Sequence, residues 1–360
     1  MRLNWIACVV LLIAGCDHTP EPGKGFAGLA DDAASYAQVA PGKRFEFPQD
    51  HGPHDGYRIE WWYITANLVS DKGQQFGVQW TLFRNALPRS ANVVSSNQGW
   101  SNRNLWMGHA AVTAADRHYA AERYARGGIG QAGVALTPFA AWIDDWFLSS
   151  QPGVADPLAD MQLQASDPRF SYRLHLTSTG PLVLQGKEGF SQKSEAGQAS
   201  YYYSQPFFDA TGSITVDGKT YTVTGSAWLD REWSSQPLTP NQTGWDWFSL
   251  HLEGGAQVML YRMRQRQGAP YLTGTWINAD GSTQSLASED IMLAPTATTW
   301  VEGHDMPTRW SLNIPGKGVS ITATALNPKA WMNLRIPYWE GPVTLAGTHR
   351  GVGYLEMTGY

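Results

Sequence analysis

The stretch WWYITANL at residues 61–68 and the stretch QFGVQWTLF at residues 75–83 flank the short polar segment Asp71-Lys72-Gly73. Both stretches are rich in β-branched and aromatic residues, which are enriched in strands, and a Gly-containing connection between them is typical of a hairpin turn. Similar short stretches, separated by Gly, Asn, Asp and Pro, continue to the C-terminus, whereas helical periodicity is weak. The sequence therefore predicts an all-β, antiparallel fold.

The same hairpin pattern occurs again about half a chain later. A Trp-led strand is predicted at residues 247–252 (WFSLHL) and is followed by the turn Gly254-Gly255. The next strand, at residues 256–262 (AQVMLYR), again ends in an aromatic residue and Arg. Such self-similarity predicts two similar β units in tandem, although two Trp-rich hairpins can also look alike without duplication. We expect these units at residues 41–210 and 211–360. Units of about 150 residues suit up-and-down barrels that enclose a small apolar cavity.

Composition favours an apolar ligand. Tryptophan occurs 17 times in 360 residues, and charged residues make up only 16% of the chain. Because soluble chains usually carry about a quarter charged residues, this chain can bury a large core and still have indole side chains left to line a cavity. The formal net charge is −5 and there is no basic run. We therefore expect no nucleic-acid partner.

The N-terminus has the pattern of a bacterial lipoprotein signal. Residues 5–14 (WIACVVLLIA) are apolar and are followed by a glycine and Cys16. Such a run is too short to span about 30 Å of hydrocarbon, but it suits a signal peptide over residues 1–15, with Cys16 lipidated after cleavage. The alternative is an ordinary secretory signal with an incidental cysteine. We expect a flexible tether at residues 16–40, and Asp17 favours the inner membrane.

Cofactor and metal sites have little support in the sequence. The two cysteines, Cys8 and Cys16, lie within and directly after the predicted signal, so the mature chain would form neither an internal disulfide nor a thiolate cluster. The sequence contains no Gly-rich phosphate loop, no Gly-x-Ser-x-Gly elbow and no His-Glu-x-x-His motif. We expect no metal and no cofactor.

The densest group of ionisable and aromatic residues is WLDREWSSQPL at residues 228–238. On a strand, Asp230 and Glu232 share one face, whereas Arg231 and Trp233 share the other. Carboxyl groups that face a Trp-lined interior have raised pKa values and can act as general acids. The alternative is a structural Asp–Arg pair with Trp233 in the core.

Further candidates lie in both hairpins. Glu60 precedes two tryptophans and could orient a polar ligand group, although a structural ion pair is the alternative. Trp62, Trp233, Trp247 and Tyr261 are expected to form the walls of a cavity or of the space between the two barrels. The polar groups expected to orient the head of a ligand are Glu60, Asp230, Arg231 and Glu232.

Four motifs in order resemble one known family. They are Glu60-Trp61-Trp62-Tyr63, Trp228 to Trp233, Gly244-Trp245-Asp246-Trp247-Phe248 and the ending Gly351 to Tyr360. This combination is similar to the AttH/carotenoid 1,2-hydratase (CrtC-like) family over about residues 45–360. The resemblance implies two tandem lipocalin-like (calycin) antiparallel β-barrels.

The resemblance also implies a possible reaction. The hydratases of this family protonate an isolated carbon–carbon double bond and add water, with the pattern Asp-His-x-Trp followed by Tyr-x-Asp. Asp230, Trp233 and Tyr261 match this pattern, but Arg231 and Met263 stand where histidine and the acid are expected. An always-charged guanidinium and a thioether are poor proton donors, so these two positions do not support carotenoid hydration by the family's mechanism.

Two functions follow as expectations. The first is a lipid-anchored protein of the cell envelope, on the periplasmic side, that binds a lipid or isoprenoid. For this function the family resemblance implies an ABC-transporter permease as the partner. The second is a hydratase or hydrolase that uses Asp230 or Glu232 as the acid, assisted by Tyr261. A scaffold in a transporter complex is a third possibility.

Overall fold

The computed structural model describes residues 35–87, 99, 102–236 and 238–360. The described chain consists of strands and of three short 3-10 helices, at Gln49–His51, Ser288–Asp290 and Pro315–Lys317. Among these residues no helix is long and apolar enough to cross a membrane. The predicted signal peptide, Cys16 and Asp17 lie outside the described residues.

The first sheet contains thirteen strands. They are β1 (Ile59–Ser70), β2 (Gln75–Ala86), β3 (Asn104–Ala114), β4 (Arg117–Arg126), β5 (Ala132–Leu136), β6 (Phe139–Ile143), β7 (Trp146–Ser150), β8 (Asp160–Asp167), β9 (Phe170–Ser178), β10 (Val183–Leu184), β11 (Phe190–Gln192), β12 (Ala199–Val216) and β13 (Lys219–Ser234). Their order is β4-β3-β2-β1-β13-β12-β9-β8-β7-β6-β5, and β10 and β11 pair with β12.

The second sheet contains ten strands. They are β14 (Gln242–Leu252), β15 (Gln257–Gln265), β16 (Tyr271–Ile277), β17 (Thr283–Leu286), β18 (Met292–Val301), β19 (His304–Ile314), β20 (Val319–Ala325), β21 (Trp331–Met332), β22 (Tyr338–Gly347) and β23 (Gly351–Met357). Their order is β17-β16-β15-β14-β23-β22-β20-β19-β18, and β21 pairs with β22.

The first sheet curls into a nearly closed barrel. The side chain of Arg123 on β4 stacks over the ring of Trp146 on β7, with Cζ 4.3 Å from the ring centroid. Gly108 on β3 lies against the same part of the barrel, where a Cβ atom would come within 2.7 Å of Ile143 Cγ2. Only glycine permits this close approach, which brings the two ends of the sheet together. The second sheet forms a half-barrel.

The all-β prediction and the tandem of two antiparallel units are confirmed. The first predicted hairpin is β1 and β2, and its predicted repeat is β14 and β15. The change from one sheet to the other comes later than residue 210, because β12 runs through that position and β13 pairs with β1 along its length. The hairpin of β12 and β13 therefore completes the first sheet instead of beginning the second.

The end of the predicted tether is fixed on the first barrel. The hydroxyl of Tyr36 donates hydrogen bonds to the carbonyl oxygens of Ala86 and Leu87 at 3.0 and 2.9 Å. The amide of Ala37 donates to Gly56, and the amide of Ala40 donates to the hydroxyl of Tyr201. Residues 36–40 thus belong to the folded body.

The three larger hydrophobic clusters of the described residues organise the molecule. Two of them fill the concave faces of the two sheets, with Trp62, Trp80 and Trp233 in the first. The third joins the sheets and includes Tyr63 and Trp247. Because side chains alternate along a strand, β1 places Trp62 inside the barrel and Tyr63 against the second sheet.

Candidate functional site

A cavity of about 640 Å³ lies between the two sheets. Strands β1, β2, β3 and β13 form one wall, and β14, β15, β22 and β23 form the other. Most of the lining is apolar and includes Trp61, Phe83, Met107, Trp247 and Met263. Pockets of this size hold drug-sized organic ligands. Of the two expected positions, inside a barrel or between the barrels, the cavity takes the second, because core side chains fill the barrel interiors.

The wall of the first sheet carries a row of polar side chains. Asp230 on β13 is paired with Tyr63 on β1, which is paired with Thr81 on β2, and Thr81 is paired with His109 on β3. Directly opposite residues on neighbouring strands point to the same face. All four side chains line the cavity.

Asp230 is the buried acid at one end of this row. Its side chain is 2% exposed, and its Oδ1 accepts hydrogen bonds from the hydroxyl of Ser204 and from the indole of Trp228 at 2.7 Å. Burial raises the pKa of Asp230 to about 7, although the hydrogen bonds from Ser204, Trp228 and Tyr202 oppose the shift. At neutral pH this carboxyl group can hold and donate a proton.

Glu232 lies two residues further along β13, on the same cavity wall. Its Oε1 forms an ion pair with Lys193 Nζ at 2.9 Å and accepts a hydrogen bond from Ser200. The ammonium group of Lys193 also lies over the rings of Tyr261 and Tyr202, 4.3 and 5.0 Å from their centroids. Asp230 and Glu232 thus share a face as predicted, but their partners differ.

The second sheet contributes two acids that the sequence analysis did not single out. Glu356 on β23 lines the cavity, and its Oε1 accepts a hydrogen bond from the indole of Trp245 at 2.6 Å. Burial, together with the charges of Asp230 and Glu232, raises the pKa of Glu356 to about 7, against the effect of the indole bond. The residue lies within the terminal motif Gly351 to Tyr360, but that motif gave no sign of which residue faces a cavity.

Glu340 on β22 is the other acid. It is 1% exposed and accepts a hydrogen bond from Tyr63 of the first sheet. Burial raises the pKa of Glu340 well above its ordinary value, and the charge of Glu356 adds to the shift. Tyr338-Trp339 precede Glu340 as a pair of aromatic residues, and the Glu60-Trp61-Trp62 motif has a similar composition. This similarity was the available sequence signal.

His109 lies at the other end of the polar row on the first sheet, next to Thr81. Its Nδ1 lies 2.9 Å from the hydroxyl of Tyr338, and the ring is 1% exposed. Burial lowers the pKa of His109 to about 3, so the ring is neutral near pH 7.

Glu60 belongs to a buried ion-pair network. Its carboxylate binds the guanidinium groups of Arg84 and Arg231, and all three side chains are 0% exposed. Burial alone would raise the pKa of Glu60, but the two arginines outweigh it and hold the pKa well below its ordinary range. Glu60 touches the cavity lining, yet its oxygens are already engaged.

Three predicted ligand contacts are placed elsewhere by the structure. Arg231, Trp62 and Trp233 face the interior of the first barrel, where the guanidinium Cζ of Arg231 lies 3.8 Å from the Trp62 ring centroid. Strand alternation is the physical reason, because Arg231 and Trp233 point away from the face that carries Asp230. They belong to the core, not to the cavity wall.

The remaining predicted residues do reach the cavity. Trp247 and Tyr261 both line it, and the hydroxyl of Tyr261 donates to the carbonyl oxygen of Gln192. The structure therefore brings together Asp230, Glu232 and Tyr261 with Trp247. Within the described parts of the chain, no group of three or more His, Cys, Asp and Glu side chains is arranged to hold a metal ion.

Comparisons with known proteins agree with this architecture. The family model described as AttH-like matches residues 38–360. A provisionally assigned AttH from Nitrosomonas europaea, known from a crystal structure, is 32% identical in sequence. The match covers 90% of this chain and 99% of the Nitrosomonas chain, with a TM-score of 0.77. No curated protein matches the chain.

Two more distant structures share the fold. Kievitone hydratase from Nectria haematococca is 15% identical, with 90% of this chain and 96% of the hydratase covered and a TM-score of 0.67. The structure of CghA with Sch210972 is 12% identical in sequence. The match covers 91% of this chain and 97% of the CghA chain, with a TM-score of 0.52. Together with the sheet topology, these likenesses confirm the predicted lipocalin-like fold of two units.

Proposed function

This chain belongs to the AttH-like family, and on that premise we propose that it binds an apolar, unsaturated organic ligand between its sheets and protonates it there, as a hydratase does. The observation that carries the proposal is Asp230, a buried carboxyl group with a pKa raised to about 7 on the wall of a mostly apolar cavity. A general acid is most effective when its pKa lies near the working pH.

The cavity suits an apolar ligand. Removing apolar surface from water is worth roughly 25 cal/mol per Å², so aromatic walls such as Trp61, Trp245 and Trp247 would supply most of the affinity. Aromatic faces also stabilise positive charge. Trp247 and Tyr261 would therefore help to stabilise the cation that forms when an alkene is protonated.

The acids of this cavity differ from the pattern that the family resemblance implies. Met263 lines the cavity where that pattern has an acid, and Arg231 is held inside the first barrel by Glu60. Asp230 is therefore the proton donor of the proposal. Lys193 already engages Glu232 in an ion pair, so Glu232 is assigned a role in positioning.

A second candidate function is binding without chemistry. The apolar cavity supports a carrier for a lipid or isoprenoid, and the lipoprotein-like segment that ends at Cys16 supports an anchor in the cell envelope. In this version the protein would face the periplasm, at the inner membrane because of Asp17, and would pass its ligand to or from an ABC-transporter permease. Replacement of Cys16 by Ser should then move the protein from the membrane fraction to the soluble fraction.

The test uses the detergent-purified protein, heavy-oxygen water, and kievitone and farnesol as probes. Mass spectrometry should detect a hydrated product with the wild type, and Asp230→Asn should slow its formation about 10²- to 10⁴-fold while binding changes little. Asp209→Asn, which alters an exposed carboxylate on β12, is the matched control. Binding of either probe without hydration would favour the carrier, and neither binding nor hydration would count against both functions.

A further inference from the structure

We propose that Glu356 is the base that takes a proton from the attacking water, so that the reaction uses one carboxyl group from each sheet. This inference deepens the proposed function and rests on it. It assigns a catalytic role to a residue of the second sheet, opposite the acid Asp230 of the first.

The position of Glu356 follows from the strand register. On the second sheet Trp247 is paired with Glu356, and Glu356 is paired with Glu340. These three side chains therefore lie in one row on the same face. On the first sheet Asp230 is the direct neighbour of Tyr63.

Tyr63 joins the two rows. Its ring packs against Trp247 with 5.3 Å between centroids, and its hydroxyl donates a hydrogen bond to Glu340. Trp247 and Glu340 are the residues on either side of Glu356. Glu356 must therefore lie across the cavity from the pair of Tyr63 and Asp230, on the opposite wall of the same space.

Both acids are held in the same manner. One oxygen of Asp230 accepts the indole N–H of Trp228 at 2.7 Å, and one oxygen of Glu356 accepts the indole N–H of Trp245 at 2.6 Å. An indole only donates, so the oxygen that it binds must be an acceptor. When either acid is protonated, its proton sits on the other oxygen, Oδ2 of Asp230 or Oε2 of Glu356.

The surrounding charges favour one proton shared between the two acids. Glu356 faces Asp230 and Glu232 of β13 and Glu340 of β22, while Lys193 offsets the charge of Glu232. Neighbouring carboxyl groups in an apolar site do not all ionise at once. A state with Asp230 protonated and Glu356 ionised is therefore accessible near neutral pH, where both pKa values lie.

The other acids are less suited to the role of base. Glu340 is not part of the cavity lining, and Tyr63 occupies one of its oxygens. Glu232 is engaged by Lys193 and Ser200. Of Glu232, Glu340 and Glu356, only Glu356 both lines the cavity and forms no ion pair with the described residues.

The reaction balances with water as its only co-reactant. Asp230 gives its proton to one alkene carbon, and the neighbouring carbon becomes a cation. The water oxygen bonds to this cation while a water proton passes to Glu356. The product is an alcohol, Asp230 is left ionised and Glu356 protonated, and transfer of that proton back to Asp230 restores the starting state.

The first test follows farnesol in deuterated water. In Glu356→Gln, hydration should fall about a hundredfold or more, whereas exchange of deuterium into farnesol should persist, because Asp230 still protonates the double bond. Asp230→Asn should lose both hydration and deuterium exchange.

The variants are chosen to keep the fold intact. In Glu356→Gln, the Gln side chain retains an oxygen that can accept the hydrogen bond from the indole of Trp245. Glu356→Asp should recover part of the hydration. The control is Glu253→Gln, which changes an exposed residue in the turn between β14 and β15.

The second test needs no turnover. Infrared titration of the carboxyl stretch should show that Asp230→Asn lowers the pKa of Glu356, because a neighbouring negative charge is removed. An unchanged Glu356 titration, or full hydration by Glu356→Gln, would overturn the assignment. If the coupling is present but the wild type neither hydrates farnesol nor exchanges deuterium, the proposed function itself fails, and the role of Glu356 as a base fails with it.

Discussion

The hydroxyl of Tyr63 on the first sheet donates a hydrogen bond to the carboxyl group of Glu340 on the second sheet, 277 residues later in the chain. Both groups are buried, and the ring of Tyr63 packs on Trp247 beside this bond. A buried acid of raised pKa thus receives a donor from the opposite sheet. The contact fixes the two sheets at the cavity and positions the polar row next to it.

Removal of this hydroxyl should weaken the junction between the sheets. Tyr63→Phe leaves an oxygen of Glu340 without its donor, which should lower the free energy of unfolding by about 1–3 kcal/mol in urea titrations. The matched control is Tyr172→Phe, which loses a hydrogen bond to the Gln79 carbonyl inside the first sheet. Both variants should be less stable, but only Tyr63→Phe should weaken farnesol binding. Equal binding by the two variants would show that the contact does not shape the cavity.

Stability should fall as the pH rises because of Asp230. The folded state raises the pKa of Asp230 from 3.8 to about 7, so its stabilising effect is complete below pH 3.8 and is lost as the pH rises through 7. Asp230→Asn has no proton to release. Relative to the wild type, it should gain stability between pH 4 and pH 8, by at most about 4 kcal/mol at about 1.4 kcal/mol per pKa unit. Urea unfolding at both pH values measures this difference, and Asp209→Asn should show none of it.

The buried network around Glu60 should respond in the opposite direction to pH. The folded state lowers the pKa of Glu60. The contribution of Glu60 to the free energy of unfolding is therefore present above pH 4.5 and is lost as the pH falls below 4.5. Arg231→Met leaves a buried carboxylate short of one partner and should cost about 3–5 kcal/mol at pH 7. The double variant with Glu60→Gln should cost less than Arg231→Met alone.

The control for this network is Arg117→Met. Arg117 pairs with Asp116 and Asp217 at the surface, where its side chain is 40% exposed. Exposed ion pairs contribute little to stability, because water and salt screen the two charges, so Arg117→Met should leave the free energy of unfolding almost unchanged. A similar loss of stability in Arg117→Met and Arg231→Met would contradict the distinction between buried and exposed pairs.

Filling the cavity should block ligand binding without unfolding the protein. Leu105 lines the cavity and is partly exposed, so Leu105→Trp can place its larger ring in the open space. Binding of Nile red, followed by fluorescence, should weaken at least about tenfold, because the indole takes the space of the ligand. Leu87→Trp, at an exposed position outside the lining, should bind as the wild type does. Unchanged binding by Leu105→Trp would place the ligand elsewhere.

Much of the local structure could be predicted from the sequence. The alternation of β-branched and aromatic residues predicted β1 and β2, and the Trp-led repeat predicted β14 and β15. The period of two along a strand correctly placed Asp230 and Glu232 on one face and Arg231 on the other. These features depend on neighbouring residues alone, which is why one chain segment was enough to predict them.

Other features of the site could not be predicted in this way. Sequence alternation separates two faces of a strand but does not say which face turns toward a filled interior and which toward open space. Trp62 and Trp233 therefore prove to be core residues of the first barrel. Glu340 and Glu356 come more than one hundred residues after Asp230 in the sequence. Only the pairing of distant strands brings Glu356 to the cavity wall and Glu340 to its buried contact with Tyr63.

The sequence by itself determined that this chain forms antiparallel strands in two successive units, and which side chains of each strand lie together. The tertiary structure decided that the open space lies between the sheets and that acids from both sheets meet there. The physical reason is that strand formation and alternation follow from local sterics and hydrophobic pattern, whereas burial, and with it the raised pKa values of Asp230 and Glu356, depends on what packs against the outer face of each sheet.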